Sequence, residues 1–226
     1  MKKSKVFALI MLLVISSAVL AQARDASGFL NNGFQALFYH AVRLEEAFPK
    51  INPMGLAIEE FEKAARYDEH AGEANLMMGL VYQYLDRPGT ALGYYLEFAR
   101  IHPEEIWIHT FIGDMYAEMG RLEEAQKSYD TAISGADEGE IFAQAYLGLG
   151  TTALERGEYV KAKEAFELAL SNSGDFFDAR LGLGKTLYYL AEYEEAITTL
   201  EWAHLQAPSS ISMFYYLGLS YEAVGR

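Results

Sequence analysis

Residues 177–210 read FDARLGLGKTLYYLAEYEEAITTLEWAHLQAPSS, and this stretch decides the fold. Leu183, Gly184 and Leu187 fall on one apolar stripe at helical spacing, and Ala191-Glu192-Tyr193 makes a short turn. Ala196, Leu200 and Ala203 make a second stripe that ends near Pro208. Apolar positions recurring at three and four residues mark amphipathic helices, so the stretch predicts two helices joined by a turn.

Working outward, Gly184 has counterparts at Gly79, Gly113, Gly150 and Gly218, with successive spacings of 34, 37, 34 and 34 residues. Ala196 belongs to the series Ala57, Ala91, Ala125, Ala162 and Ala196, spaced by 34, 34, 37 and 34. A large residue follows each alanine by four: Phe61, Tyr95, Tyr129, Phe166 and Leu200. Ala64, Phe98, Ala132, Ala169 and Ala203 come three further on. Two independent series share one period and one three-residue insertion, which falls within residues 134–140. A period of this length means a stacked repeat array. Glycine inside a helix costs about 1 kcal/mol against alanine. Its recurrence predicts a close approach of helix backbones with no Cβ between them.

These residues resemble the tetratricopeptide repeat, whose 34-residue unit carries an aromatic-x-x-Leu-Gly-x-x-Tyr first helix and then Ala, Phe, Ala and Pro on the second. Here the pattern stands as Tyr146, Leu149, Gly150, Ala162, Phe166 and Ala169, and again as Phe214, Leu217, Gly218 and Tyr221. Phe98 and Leu200 depart from it, and only Pro103 and Pro208 occupy the proline position. The resemblance implies an all-α fold, a right-handed superhelical solenoid of antiparallel helix pairs. Residues 72–226 divide into repeats at about 72–105, 106–139, 143–176 and 177–210, with a partial repeat at 211–226. Residues 24–71 predict a degenerate first repeat: Ala57, Phe61 and Ala64 make a good second helix, but the segment from about residue 33 to 47 lacks the Leu-Gly pair. End repeats of solenoids are atypical because they cap the array.

The first residues carry a different signal. Lys2, Lys3 and Lys5 precede an apolar run from Val6 to Leu20, and Ala21-Gln22-Ala23 follows. That order is the pattern of a secretory signal peptide, residues 1–23, cleaved to leave Arg24 first. The run of 15 residues is shorter than the roughly 20 that span a bilayer, which sets cleavage above the alternative of an N-terminal membrane anchor. The expected compartment is periplasmic or secreted, with no integral insertion after cleavage.

Formal net charge is −14, and loss of the three leader lysines takes it to −17. A chain this acidic repels phosphate backbones, so nucleic acid is not an expected partner. The absence of cysteine removes disulfides, thiolate metal sites and a cysteine nucleophile together.

No catalytic, cofactor-binding or metal-binding residues are expected. Residues 179–186, ARLGLGKT, nearly match the phosphate-binding pattern G-x-x-x-x-G-K-[ST], but alanine stands for the first glycine and no strand precedes it. Within a helix the backbone N–H groups that would cradle phosphate are already bonded one turn back. The five histidines show no ligand spacing. Glu59-Glu60, Glu123-Glu124 and Glu194-Glu195 recur with the repeat and read as solvated faces of second helices.

In the resembled family the first helices line a concave face that holds partners. That implies a protein-binding stripe comprising Glu73, Tyr84, Trp107, Asp114, Glu118, Glu155, Lys185, Tyr188, Tyr189, Tyr215 and Glu222. Tyrosine and tryptophan suit such a surface because they join apolar area to a polar handle. Some members clamp acidic C-terminal peptides with several basic residues. Only Lys185 is available here, so the expected partner is instead a neutral to basic protein or peptide. The function expected is a non-catalytic scaffold or adaptor of the cell envelope. The alternatives are a self-assembling solenoid and an accessory subunit of an envelope enzyme complex. The final helix carries Phe214, Tyr215, Tyr216, Leu217, Leu219 and Tyr221 with Glu222 its only acid, the pattern of an internal first helix. It predicts either a longer array or pairing with another copy through the C-terminal end.

Overall fold

The computed structural model describes residue 37 and residues 53–226, apart from 68–69, 136–138, 173–175 and 207–209. The leader and most of the degenerate first helix lie outside the described residues, as does the centre of the three-residue insertion. Leu37 is helical and buried. Among the described residues every regular element is a helix, as the periodicity predicts. The chain divides at residue 108 into two compact units.

The first unit holds α1 (Pro53–Ala64), α2 (Ala71–Tyr84) and α3 (Pro88–Ile101). Pro53 and Pro88 open their helices, where a missing N–H costs nothing. Ala57, Phe61 and Ala64 form the buried face of α1, and Ala91, Tyr95 and Phe98 that of α3. The Tyr95 hydroxyl donates to Gln83 Oε1 at 2.6 Å, so the buried ring keeps a partner for its polar end.

The second unit runs through α4 (Ile108–Glu118), α5 (Leu122–Gly135), α6 (Glu140–Glu155), α7 (Tyr159–Asn172), α8 (Phe177–Tyr189), α9 (Tyr193–Gln206) and α10 (Ile211–Ala223). α5 packs on α6, α6 on α7, α7 on α8, α8 on α9 and α9 on α10. The helices α6, α8 and α10 also lie side by side, each first in its pair. Three buried clusters hold this stack, centred on Tyr129, Phe166 and Leu200. Full burial of one such ring or leucine stabilises by roughly 1.5–3 kcal/mol.

The recurring glycines work differently from the sequence expectation. They do not bring backbone to backbone; Gly79, Gly113, Gly150 and Gly184 are each a notch for the large residue of the following helix. A Cβ built at Gly79 would fall within 3.0 Å of the Tyr95 ring, at Gly113 of Tyr129, at Gly150 of Phe166, and at Gly184 of the Leu200 side chain. Tyr129 and Phe166 also meet a second glycine, Gly148 and Gly182, on the first helix of the next pair. Each ring is thus clasped between two notches, which locks a pair to its successor. Leu200 is smaller than a ring, and the position matching Gly148 and Gly182 is Tyr216, which packs against the Leu200 cluster. The volume lost at one position is restored at the other.

A second periodic device sits in the turns. Asp86, Gly120, Gly157, Ala191 and Gly225 all have positive φ, between 61° and 74°. In the residues that follow, the N–H groups of Arg87, Arg121, Glu158, Glu192 and Arg226 each donate to the carbonyl five residues back at 2.8–2.9 Å. This is a left-handed helix cap of the Schellman type, and it turns the chain within three residues. Only glycine adopts that backbone freely, so Asp86 and Ala191 carry strain that Gly120 and Gly157 avoid.

Candidate protein-binding face

The stripe expected from sequence is divided between the units. In the first, Glu73 is exposed on α2, and Tyr84 is half-buried at the end of that helix. Trp107 lies one residue ahead of α4 rather than on a helix. It is half-buried against Phe98, with ring centroids 5.5 Å apart, and its indole N–H donates to Glu105.

In the second unit, α4, α6, α8 and α10 present the residues that follow each notch glycine. Asp114 comes first, directly after Gly113, and it is half-buried. It accepts from the Tyr129 hydroxyl at 2.7 Å. Burial lifts the Asp114 pKa to about 7, the tyrosine hydrogen bond opposing and the Glu118 charge adding to the rise. The same burial, with Asp114 beside it, pushes the Tyr129 hydroxyl well above the usual tyrosine range. Asp114 is therefore an anchor for the clasped ring. Glu118 and Glu155, at the ends of α4 and α6, are exposed acids on the same side.

Aromatic side chains dominate where α8 meets α10. The Tyr188 ring stands edge-on to Tyr189 and Tyr216, with centroids 5.6 and 5.7 Å apart, and Tyr215 stands edge-on to Tyr216 at 5.2 Å. Tyr159, at the start of α7, stacks on Tyr189 at 4.9 Å and 7°. The Tyr189 and Tyr216 hydroxyls are hydrogen-bonded to each other at 2.9 Å, and that bond, with burial, pushes Tyr216 up to about 12. Edge-to-face pairs of this kind add about 0.5–1.5 kcal/mol beyond their buried area, so the cluster is preformed. Tyr189 remains 45% exposed and Tyr215 61%.

Lys185 lies half-buried beside this cluster, its Nζ 5.5 Å from the Tyr216 ring centroid. Burial lowers its pKa, with the Asp178 charge opposing. Glu222 is exposed on the last turn of α10. The structure thus brings Lys185, Tyr188, Tyr189 and Tyr215 together and leaves Glu118, Glu155 and Glu222 as exposed acids. Sequence reasoning missed Tyr216 and Tyr159. Tyr216 was within reach, because it interrupts the glycine series at 148 and 182 just where Leu200 replaces a ring.

The decoys resolve locally. Gly184, Lys185 and Thr186 lie in the middle of α8, and the Thr186 hydroxyl donates to the Gly182 carbonyl. The acidic pairs meet basic residues along and between second helices: Lys63 bonds Glu59 and Glu60, Arg121 bonds Glu124, and Lys163 Nζ lies 3.6 Å from a Glu195 oxygen. Among the described residues, no group of three His, Asp or Glu is placed to hold a metal ion. Among them, too, no helix is long and apolar enough to cross a membrane.

Stacked helix pairs with clasped aromatic residues define a helical-repeat protein of the solenoid class. Family models described as tetratricopeptide repeat match residues 104–173 and 153–215, so the chain carries tetratricopeptide repeats. The chain is similar to the protein O-mannosyl-transferase TMTC3 of Mus musculus, at 30% identity over 160 residues, covering 59% of this chain and 17% of that protein. It spans a fifth or less of the curated relatives it matches. Among solved structures it is similar to PilW, a widely conserved type IV pilus biogenesis factor, with a TM-score of 0.72 at 17% identity, covering 88% of this chain and 87% of that one. It is also similar to YrrB, described as a TPR protein with an unusual peptide-binding site, with a TM-score of 0.60 at 18% identity, covering 75% and 86%. At these identities the structural likeness establishes the fold alone.

Proposed function

We propose that the chain is a non-catalytic scaffold that holds a segment of another protein on the first-helix face of its second unit. The observation that carries this reading is the preformed tyrosine cluster at α8 and α10, whose Tyr189 and Tyr215 keep large exposed areas beside Lys185. Rigid aromatic side chains lose little entropy on contact and make good anchors. Glu118, Glu155 and Glu222 favour a neutral to basic segment, steered by charge and weakened by salt over a Debye length of about 8 Å. The peptide-binding site named for YrrB supports the same class of role.

Export to the cell envelope belongs to this reading and rests on the leader pattern of residues 1–23. N-terminal sequencing of exported protein should begin at Arg24, and intact Met1 chains in the membrane fraction would contradict it. The binding face is tested by affinity capture from envelope extract with the parent chain and with a Tyr189→Ala, Tyr215→Ala double variant of equal melting temperature. A partner retained by the parent and lost from the variant supports the face. Equal retention by both overturns it.

A further inference from the structure

A cleft of about 330 Å³ opens among the second helices of the second unit. α7 and α9 wall it, and Leu183 and Leu187 of α8 lie at its floor. These three helices supply both walls and the floor, so the cleft is not an open end of the array. Leu187 is buried and Leu183 half-buried, which makes the floor apolar. The rim is acidic: Glu167 of α7 and Glu194 and Glu195 of α9 are all exposed there. Lys163 reaches across from α7, but Glu192 already holds it, and Glu195 is 3.6 Å away. Glu167 acts on the same lysine through its field, with no ion pair of its own among the described residues. Arg226 comes within 3.6 Å of Glu194. The repeat does not dictate this composition. One pair earlier, the positions matching Glu194, Glu195 and Thr199 are Val160, Lys161 and Ala165, and Lys161 bonds Glu158.

We propose that this cleft is a second docking site, which takes an arginine side chain from a basic segment of another protein. Charge complementarity selects the occupant. An anion is repelled by the rim, and a purely apolar group would strip water from the carboxylates without giving them a partner. A long cationic side chain satisfies both parts of the cleft. Its methylene stem lies on Leu183 and Leu187 while its head stays at the rim. Arginine suits the site better than lysine, because its planar fork can bond two carboxylates and is the more weakly hydrated cation. The volume is at the small end of ligand-sized pockets, so it admits one long side chain rather than a helix. The site goes beyond the first-helix face and shares no residue with it.

The test uses the full chain and a fluorescently labelled, amidated peptide, Leu-Arg-Gly-Arg-Leu, read by anisotropy. A twin peptide carries citrulline for arginine, which keeps the shape and removes the charge. The parent should bind the arginine peptide more tightly than its twin by about fivefold. A Glu167→Gln, Glu195→Gln variant, changed only at exposed positions, should lose about that factor. A Thr198→Leu, Thr199→Leu variant narrows the cleft without changing its charge and should lose binding too. Tyr189→Ala, on the first-helix face, should bind like the parent. Each variant is compared at an unchanged melting temperature. A parent that binds neither peptide, or both equally, overturns the proposal. Full affinity in the leucine variant also overturns it, since that would leave surface charge without a cleft. A loss confined to Tyr189→Ala would assign the peptide to the first-helix face and overturn it as well.

Discussion

Tyr129 and Phe166 occupy the same place in successive helix pairs, yet they make different joints. Both are about 1% exposed, and both are clasped between two glycines. Phe166 asks nothing more of its surroundings. Tyr129 adds a hydroxyl, and a buried hydroxyl without a partner costs free energy, so the joint recruits the Asp114 carboxylate. The residue matching Asp114 at the Phe166 joint is Thr151, which is exposed and donates to the Leu147 carbonyl of its own helix. At these two joints one oxygen atom on the ring separates a following residue that is tied to it from one that stays exposed.

The largest expected effect breaks both joints alike. Gly150→Leu and Gly148→Leu drive a side chain into the Phe166 and Tyr129 rings, and overpacking costs about 1–3 kcal/mol. Thermal denaturation should show a drop in melting temperature of several degrees for each, and an unchanged value would break the ring-in-notch reading at that joint.

A comparable but chemically distinct effect separates the joints. Tyr129→Phe leaves Asp114 without its donor and should destabilise by about 1–3 kcal/mol. Phe166→Tyr should also destabilise, because its hydroxyl enters a joint without an acid. Adding Thr151→Asp should then recover part of the loss, and a double-mutant cycle by chemical denaturation measures that coupling. Zero coupling would mean that the acid and the hydroxyl are not a unit.

Acid titration sharpens the same contrast. The folded Asp114 pKa of about 7 lies above its ordinary 3.8, so the folded state holds this proton more tightly than the unfolded chain does. The resulting stability is fully present below about pH 4 and is lost as pH rises through 7. Asp114→Asn should therefore flatten this part of the stability curve and raise stability at pH 8, since the amide oxygen can still accept from Tyr129. Thr151→Ala should change neither. The smallest effect lies in the turns: Ala191→Gly should stabilise by about 1 kcal/mol through relief of left-handed strain. Gly157→Ala, at the matching turn, should destabilise by a similar amount.

Much of the fold was legible in the sequence because the period is carried by small and large residues whose volumes must match. Gly113, Gly150 and Gly184, with their Tyr129, Phe166 and Leu200 partners, report the helix pairs without any coordinates. The direction of each contact was not legible. Spacing says that glycine and ring belong together, but not that the ring enters the glycine's own space. Asp114 was placed on the open face because its helical position points there; its tie to the Tyr129 hydroxyl was not legible from spacing. The tyrosines at 188, 189 and 215 were legible as a stripe. Tyr159 was not, since it comes from a second helix, and Tyr216 was within reach only through the interruption of the glycine series at 148 and 182.

The substitution that tests the ring-in-notch principle most directly is alanine at two glycines of one register, Gly150 and Gly218. At Gly150 the new methyl would lie 2.7 Å from the Phe166 ring; at Gly218 it would meet nothing within 4 Å. Alanine is favoured over glycine within a helix by about 1 kcal/mol, so only the ring can reverse the sign. Measured by thermal denaturation, Gly218→Ala should raise the melting temperature and Gly150→Ala should lower it. Changes of the same sign at both positions would contradict the notch as the element that joins these helices.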